Sequence, residues 1–329
     1  MFSVTQVTTA ADWEALPTKA PAPADNPTTA EKVKLGQILF FDPRLSSTGT
    51  VSCNSCHNVM AGGEDNRAGS AGVHGQVGGR SAPTVWNSAF SAVQFWDGRA
   101  PSLEEQAKGP VTNPIEMGME NWDDVVKRLK AIPGYPELFS AAFSTDNSPV
   151  SRDNAAKAIA AYERTLITPN SAYDQYVSGD KSALTEQQIS GMETFAEVGC
   201  ANCHSGPAFN ANGAFMKFPM HGNSMFEAKY KMSQDEGRFE ATKLDADKHF
   251  FKVPTLRNIA LTAPYLHNGS VTSLPRVIQV MAKMQLGSSL KQQQVKDIEA
   301  FLESLTGEFP KQTMPRLPAT PGKTFAFVE

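Results

Sequence analysis

The chain has 329 residues, a formal net charge of −4, 19% charged residues and an isoelectric point near 5.9. That balance argues against nucleic acid as a partner, and no apolar run approaches the ~20 residues that a membrane helix requires. The length suits two domains of ordinary size, each with enough surface to bury a core.

In chain order, the start Met1-Phe2-Ser3-Val4-Thr5 has neither the basic nor the apolar region of a signal peptide. Residues 15–30 are rich in Ala and Pro (Pro17, Pro21, Pro23, Pro27), which predicts an extended lead-in. Thr29 is placed to cap a helix through about Phe41, with either Val33, Gln37 and Phe40 or Leu35, Ile38 and Leu39 as its apolar face, and Asp42-Pro43 ends it. A polar loop, Ser46 to Gly49, then leads into Cys53-Asn54-Ser55-Cys56-His57.

From Gly62 to Gly79 the chain holds seven glycines and one histidine, His74, a composition that predicts a mobile loop. Ser81-Ala82-Pro83-Thr84-Val85-Trp86-Asn87 follows, then an aromatic cluster of Phe90, Phe95 and Trp96. Helices are predicted over 103–109, over 121–131 with Asn121 as cap, and over 151–167 with Ser151 as cap. Around Pro169 to Lys181 the chain turns polar, marking a crossing between domains. Thr185 and Gln188 form a capping box, and the helix they start runs into Cys200-Ala201-Asn202-Cys203-His204. Residues 205–250 read as irregular and hold His221 and His249. Two further helices are predicted, one capped by Ser273 and running to Leu286, with Pro275 near its start and Gly287 after its end, and one capped by Ser289 and running to Leu305. The tail from Phe309 to Glu329 carries four prolines and is expected to run back over the surface. There is almost no strand signal.

All four cysteines lie in the two C-x-x-C-H motifs. That spacing is the attachment site of a c-type haem: two thiols reach two porphyrin vinyl groups and the adjacent histidine supplies the proximal nitrogen. A zinc site, a redox dithiol or a disulfide framework would leave both histidines and the repeat unexplained. Two covalently bound c-type haems are therefore expected, held by Cys53, Cys56 and His57 and by Cys200, Cys203 and His204. Helix-then-motif order in both halves predicts a mainly α fold: two cytochrome c-like haem domains related by duplication, with long irregular loops. The expected domains are residues 1–167 and 168–307, with the tail 308–329 packed back on the first. Covalent haem is assembled outside the bacterial cytoplasm, so the chain is expected to be a mature periplasmic form with its signal peptide removed.

A sixth iron ligand has few candidates. His74 is favoured for the first haem because its glycine-rich loop can fold back over it. For the second, Met281 and Met284 are both open, since Val277, Met281 and Met284 also fit an ordinary core stripe. His/Met ligation raises a haem potential relative to His/His, so these assignments make the two haems unequal. Glu116 lies in the Pro/Gly-bounded loop Asn113-Pro114-Ile115-Glu116-Met117-Gly118. There it suits an acid/base that moves a proton between peroxide oxygens. Gln106 is placed to orient the peroxide, and Trp96, in Phe95-Trp96-Asp97-Gly98-Arg99-Ala100, to relay between haems or simply to pack.

Together with His74-Gly75, Ala82-Pro83-Thr84, Val253-Pro254-Thr255-Leu256-Arg257-Asn258 and Thr262-Ala263-Pro264-Tyr265-Leu266-His267, these segments resemble the bacterial di-haem cytochrome c peroxidases over nearly the whole chain. The resemblance implies a peroxidatic N-terminal haem and a C-terminal haem that collects electrons from a small cytochrome c or cupredoxin. It further implies His74 as a removable ligand, Glu116 as acid/base with Gln106 as helper, Trp96 between the haems, Met281 rather than Met284 as ligand, and a homodimer. It also implies one calcium ion between the domains, on the carbonyls of Thr262 and Pro264, with Ser81 standing where the family usually has Asn. A non-catalytic electron-transfer cytochrome is the rival from another class. A protein-modifying di-haem oxidase is the rival within the family, and Met281 speaks against it.

Overall fold

The computed structural model describes residues 13–320; the extreme start and the last part of the tail read above lie outside them. Twelve helices and one two-stranded ribbon form in this range. The first half contains α1 (Ala30–Phe41), α2 (Cys53–Cys56), α3 (Leu103–Thr112), α4 (Trp122–Ala131), α5 (Tyr135–Ala142) and α6 (Arg152–Glu163). The second contains α7 (Ala172–Val177), α8 (Glu186–Glu197), β1 (Phe215–Lys217), α9 (Ser224–Tyr230), α10 (Phe239–Thr242), β2 (Phe250–Lys252), α11 (Leu274–Gln285) and α12 (Gln292–Glu303). The fold is mainly α, and β1 and β2 pair antiparallel with Phe215 opposite Lys252.

Four of the six predicted caps form: Thr29, Asn121, Ser151 and Thr185 each accept a backbone N–H of the first helical turn. Ser273 makes no side-chain capping bond, and Lys291 rather than Ser289 takes the N-cap position of the last helix. The helix predicted over 103–109 runs on to Thr112. Two others are shorter than predicted: the one expected to reach residue 167 ends at Glu163, and the last spans 292–303 rather than 289–305. The amphipathic pattern continued past both true ends because apolar residues there pack without being helical: Leu166 is fully buried just beyond Glu163.

Two buried clusters organise the chain. One runs from Leu35 to Leu166 and includes Phe40, Trp86, Tyr135, Phe139 and Tyr162; Phe309 and Leu317 of the tail pack against it. The other runs from Tyr173 to Leu305 and includes Phe195, Phe209, Phe301 and Met284. The lead-in joins the second: Trp13 meets Phe301 at 5.9 Å between ring centroids, and the Leu16 N–H donates to Asp174 Oδ1 at 2.9 Å.

Each cluster is built around one helix crossing with a glycine at the contact. A Cβ on Gly36 of α1 would fall 1.9 Å from the Ala158 carbonyl oxygen of α6, and one on Gly191 of α8 would fall 1.8 Å from that of Asp297 in α12. Both glycines let backbones touch where any side chain would wedge them apart. Gly36→Ala and Gly191→Ala should each destabilise by about 1–3 kcal/mol, overpacking outweighing the ~1 kcal/mol gain in helix propensity. Urea unfolding would show this, and a variant as stable as the wild type would contradict the close approach.

Candidate functional site

At each C-x-x-C-H one turn of helix brings the histidine N–H onto the first cysteine's carbonyl, His57 on Cys53 at 2.9 Å and His204 on Cys200 at 3.0 Å. His57 Nδ1 donates to the Pro83 carbonyl at 3.0 Å, and His204 Nδ1 donates to that of Phe209 at 3.0 Å. With Nδ1–H held by a carbonyl, Nε2 keeps its lone pair for a metal. Burial holds both imidazoles below their usual range, hence neutral. It also pushes the thiols up, Cys56 to about 11 and Cys200 to about 12, so no thiolate is favoured. Among the described residues no three His, Cys, Asp or Glu converge as a metal cage. The donor sets therefore fit two separate haems, and they do not fit zinc.

The duplication reaches further than the two motifs. Thr84 Oγ1 donates to the Gly62 carbonyl and accepts from the Trp86 N–H; Thr255 Oγ1 donates to that of Ala208 and accepts from the Arg257 N–H. Asn87 (φ 62°) and Asn258 (φ 59°) both take the left-handed conformation and both donate to the one hydroxyl of Thr168, at 2.8 and 2.9 Å. A turn follows in each half, bridged between Gln94 and Ala100 and between Tyr265 and Val271. Within it Phe95 (φ 68°) precedes Trp96, as Leu266 (φ 73°) precedes His267. The halves clasp reciprocally: the Ser81 N–H donates to the His267 carbonyl and the Lys252 N–H to the Trp96 carbonyl, each at 2.8 Å. Thr168 thus marks a local pseudo-twofold centre, and Trp96 and His267 are its mates, with rings 6.4 Å apart.

Two cavities flank this centre. The first is walled by Cys56, His57, Gln106, Pro110, Asn113, Glu116, Arg99 and Glu163. Gln106 projects from α3, and Glu116 accepts from Asn113 Nδ2 at 2.8 Å in the turn after it. Burial raises the Glu116 pKa above the usual carboxylate range, against the opposing pull of Arg99 and Asn113. The second is walled by Cys200, Cys203, His204, Ile278, Met281 and Leu286. Met281 is on its wall, whereas Met284 is fully buried in the core of the second cluster and does not line it. Trp96 and His267 line both cavities.

His74 does not line either cavity; it is exposed, with φ 58°. Its loop is pinned to the Glu116 turn: the Val73 N–H donates to the Glu116 carbonyl at 2.9 Å, and Gln76 Nε2 donates to that of Pro114 at 3.0 Å. A Cβ on Gly72 would fall 1.8 Å from the Ile115 carbonyl oxygen. Ser81, Thr262 and Pro264 lie together on the wall of the second cavity, where the Ser81 hydroxyl donates to the Arg67 carbonyl. His221 and His249 line neither cavity.

Two buried groups, Glu163 and Glu64, escaped the sequence reading, and a third, His267, was read there only as a spare histidine and motif residue. Glu163, in the first cavity, is pushed up to about 8 by burial, and its Oε2 has no partner. Glu64, which shares the second cavity's wall with Ser81, is pushed up to about 7 by burial and accepts from Asn66. His267 stacks on Phe251 at 4.3 Å, and its Nε2 has no partner. Aligning Pro83-Thr84-x-x-Asn87 with Pro254-Thr255-x-x-Asn258 would have set His267 against Trp96. No local signal points to Glu163, which reads as an ordinary helix residue.

Residues 30–182 match the family model described as di-haem cytochrome c peroxidase. The cytochrome c551 peroxidase of Pseudomonas aeruginosa is 45% identical over 295 residues, covering 89% of this chain and 84% of that protein. That of Nitrosomonas europaea is 41% identical over 304 residues, covering 92% and 88%. The solved structure of a MauG-like protein associated with microbial copper homeostasis superposes with a TM-score of 0.78 at 31% identity, covering 91% of this chain and 96% of that one. With two haem-binding motifs, their duplicated frame and this likeness over nearly its whole length, the chain belongs to the di-haem cytochrome c peroxidase family.

Proposed function

We propose that the protein is a periplasmic peroxidase that reduces hydrogen peroxide with two electrons and two protons to two waters. Its electrons come from a small cytochrome c or cupredoxin. The single observation that carries this reading is the pairing of Glu116 and Gln106 on the wall of the cavity that also holds Cys56 and His57. A pure electron carrier has no use for a buried base beside one haem. When bound, the two haems supply the iron that takes up peroxide and the redox centres that deliver electrons. Cys53, Cys56 and His57 hold the catalytic one, and Cys200, Cys203, His204 and Met281 the electron-accepting one. Glu116 takes a proton from the near peroxide oxygen and returns it to the leaving oxygen. Gln106 orients the peroxide, Trp96 lies between the haems, and His74 is a removable ligand carried on a hinged loop.

In this reading residues up to 167, with the tail, form the peroxidatic domain and 168–307 the electron-transfer domain, and the protein works as a homodimer. No helix of the described residues is long and apolar enough to cross a membrane. A calcium ion between the domains would rest on the Thr262 and Pro264 carbonyls with Ser81, which offers a hydroxyl in place of an amide. Glu64, buried nearby, adds a carboxylate, and calcium accepts 6–8 such oxygens. Dialysis against a chelator should then lower the melting temperature, with calcium restoring it; an unchanged melting curve would remove the ion from the account.

Met281 is tested by Met281→His, which should lower the potential of one haem and leave the other nearly unchanged, because a thioether favours reduced iron. A redox titration in which Met281→His is silent and Met284→His is effective would transfer the role to Met284. The reading as a whole is tested by donor turnover with peroxide. Peroxide that elicits no donor oxidation would leave an electron-transfer cytochrome, and oxygen inserted into a protein tryptophan would favour the modifying branch.

A further inference from the structure

Lys252 closes strand β2 and is 8% exposed, yet it makes no ion pair and no side-chain hydrogen bond among the described residues. Its side chain lines the second cavity together with Cys200, Cys203, His204 and Met281, and it does not line the first. Burial alone lowers its pKa, to about 8. A buried ammonium without a counter-ion is costly, and such groups are normally paired. Glu64 is the one carboxylate among the described residues that line this cavity, and it makes no ion pair with Lys252, whose pKa is moved by burial alone. A porphyrin tethered to Cys200 and Cys203 would bring two propionates.

The local pseudo-symmetry sharpens the point. The backbone mate of Lys252 is Ser81: each precedes an x-Pro-Thr segment, and each donates its N–H to the partner half's Trp96 or His267 carbonyl. Ser81 is neutral. The duplicated frame therefore sets a cation at one haem position and none at the matching place of the other. The backbone of Lys252 is fixed to Trp96 at 2.8 Å, so its charge is held by the frame rather than by a free surface chain.

We propose that Lys252 pairs with a propionate of the C-terminal haem and helps make that haem the more easily reduced of the two. This rests on the second cavity holding a covalent haem. A fixed positive charge in a low-dielectric site favours the added electron. Lys252 is a positioning residue that acts through the haem edge, separate from the iron ligands.

The test compares holoprotein carrying Lys252→Met and Lys252→Arg with wild type. Haem content is read by mass, and both midpoint potentials by optical redox titration. Lys252→Met should shift the ferric-to-ferrous equilibrium of the C-terminal haem at least tenfold toward ferric, ~59 mV for one electron. The N-terminal haem should stay within about twofold. Lys252→Arg keeps the charge and should stay near wild type; a residue that only fills space would not be rescued in this way. If Lys252→Met fails to incorporate haem, Lys252→Gln carries the same expectation. An unmoved C-terminal potential, a shift in the N-terminal haem instead, or an Arg variant as low as the Met variant would each overturn the role of Lys252. A wild-type chain without two covalent haems would overturn the underlying reading instead.

Discussion

Glu116→Gln should lower kcat/KM for peroxide by ~10²–10⁴, the usual contribution of a positioned acid/base, while both haems stay attached and reducible. The expectation rests on where the residue sits. Glu116 lies in the turn that follows α3 and shares a cavity with His57 and Gln106. The amide isostere keeps the hydrogen-bonding shape that meets Asn113 at 2.8 Å, so packing should survive and only proton transfer should fail. Burial raises the pKa of this carboxyl, and its base form is the active one. Activity should therefore fall as pH drops through a value above the ordinary ~4.3 of glutamate, and this acid limb should vanish in the variant. The vanishing limb assigns it to Glu116 rather than to Glu163, which also lines the cavity and whose carboxyl burial pushes up to about 8. A loss of less than about fivefold would remove Glu116 from the mechanism.

The second large effect concerns His74. If its loop alternates between covering the first haem and the exposed position seen here, fully oxidised wild type should react with peroxide slowly. One electron per molecule, placed on the C-terminal haem, should release the loop. His74→Gly should react while fully oxidised, about 10–1000-fold faster than oxidised wild type. That is the gain when a competent state populated at 0.1–10% becomes the dominant one. The Val73 and Gln76 bonds to the Glu116 turn give the motion a physical consequence, since moving His74 pulls on the segment that carries the base. Electron paramagnetic resonance provides the independent readout: oxidised His74→Gly should give a high-spin signal. Oxidised wild type that is already high-spin would mean a loop resting permanently where this structure places it. A variant that keeps the wild-type low-spin signal would mean His74 is not a ligand.

Much of the fold was legible because its signals are local. Caps such as Thr29 and Thr185, and the helical stripes behind them, depend on residues three or four positions apart. The haem motifs are equally local, five residues each. What stayed hidden depends on the tertiary arrangement. The short helices α5, α7, α9 and α10 lie between loops, with too few turns to show a period. Leu166 reads as helical because it is apolar, but it is buried in the first core cluster beyond the end of its helix. The pseudo-twofold at Thr168 joins residues 81 and 90 positions away in sequence, which no periodicity reveals. The choice between Met281 and Met284 illustrates the limit. Both fit one helical stripe, and only the packing of α11 puts one on the cavity wall and the other in the core.

The central claim is that one haem turns over peroxide with electrons held by the other. Anaerobic titration of the fully reduced protein with hydrogen peroxide, following both haem spectra and the protein mass, tests it most directly. One peroxide should consume two electrons, both haems should end oxidised, and the mass should not change. Haems that stay reduced in excess peroxide, or a chain that gains oxygen as they are oxidised, would contradict it.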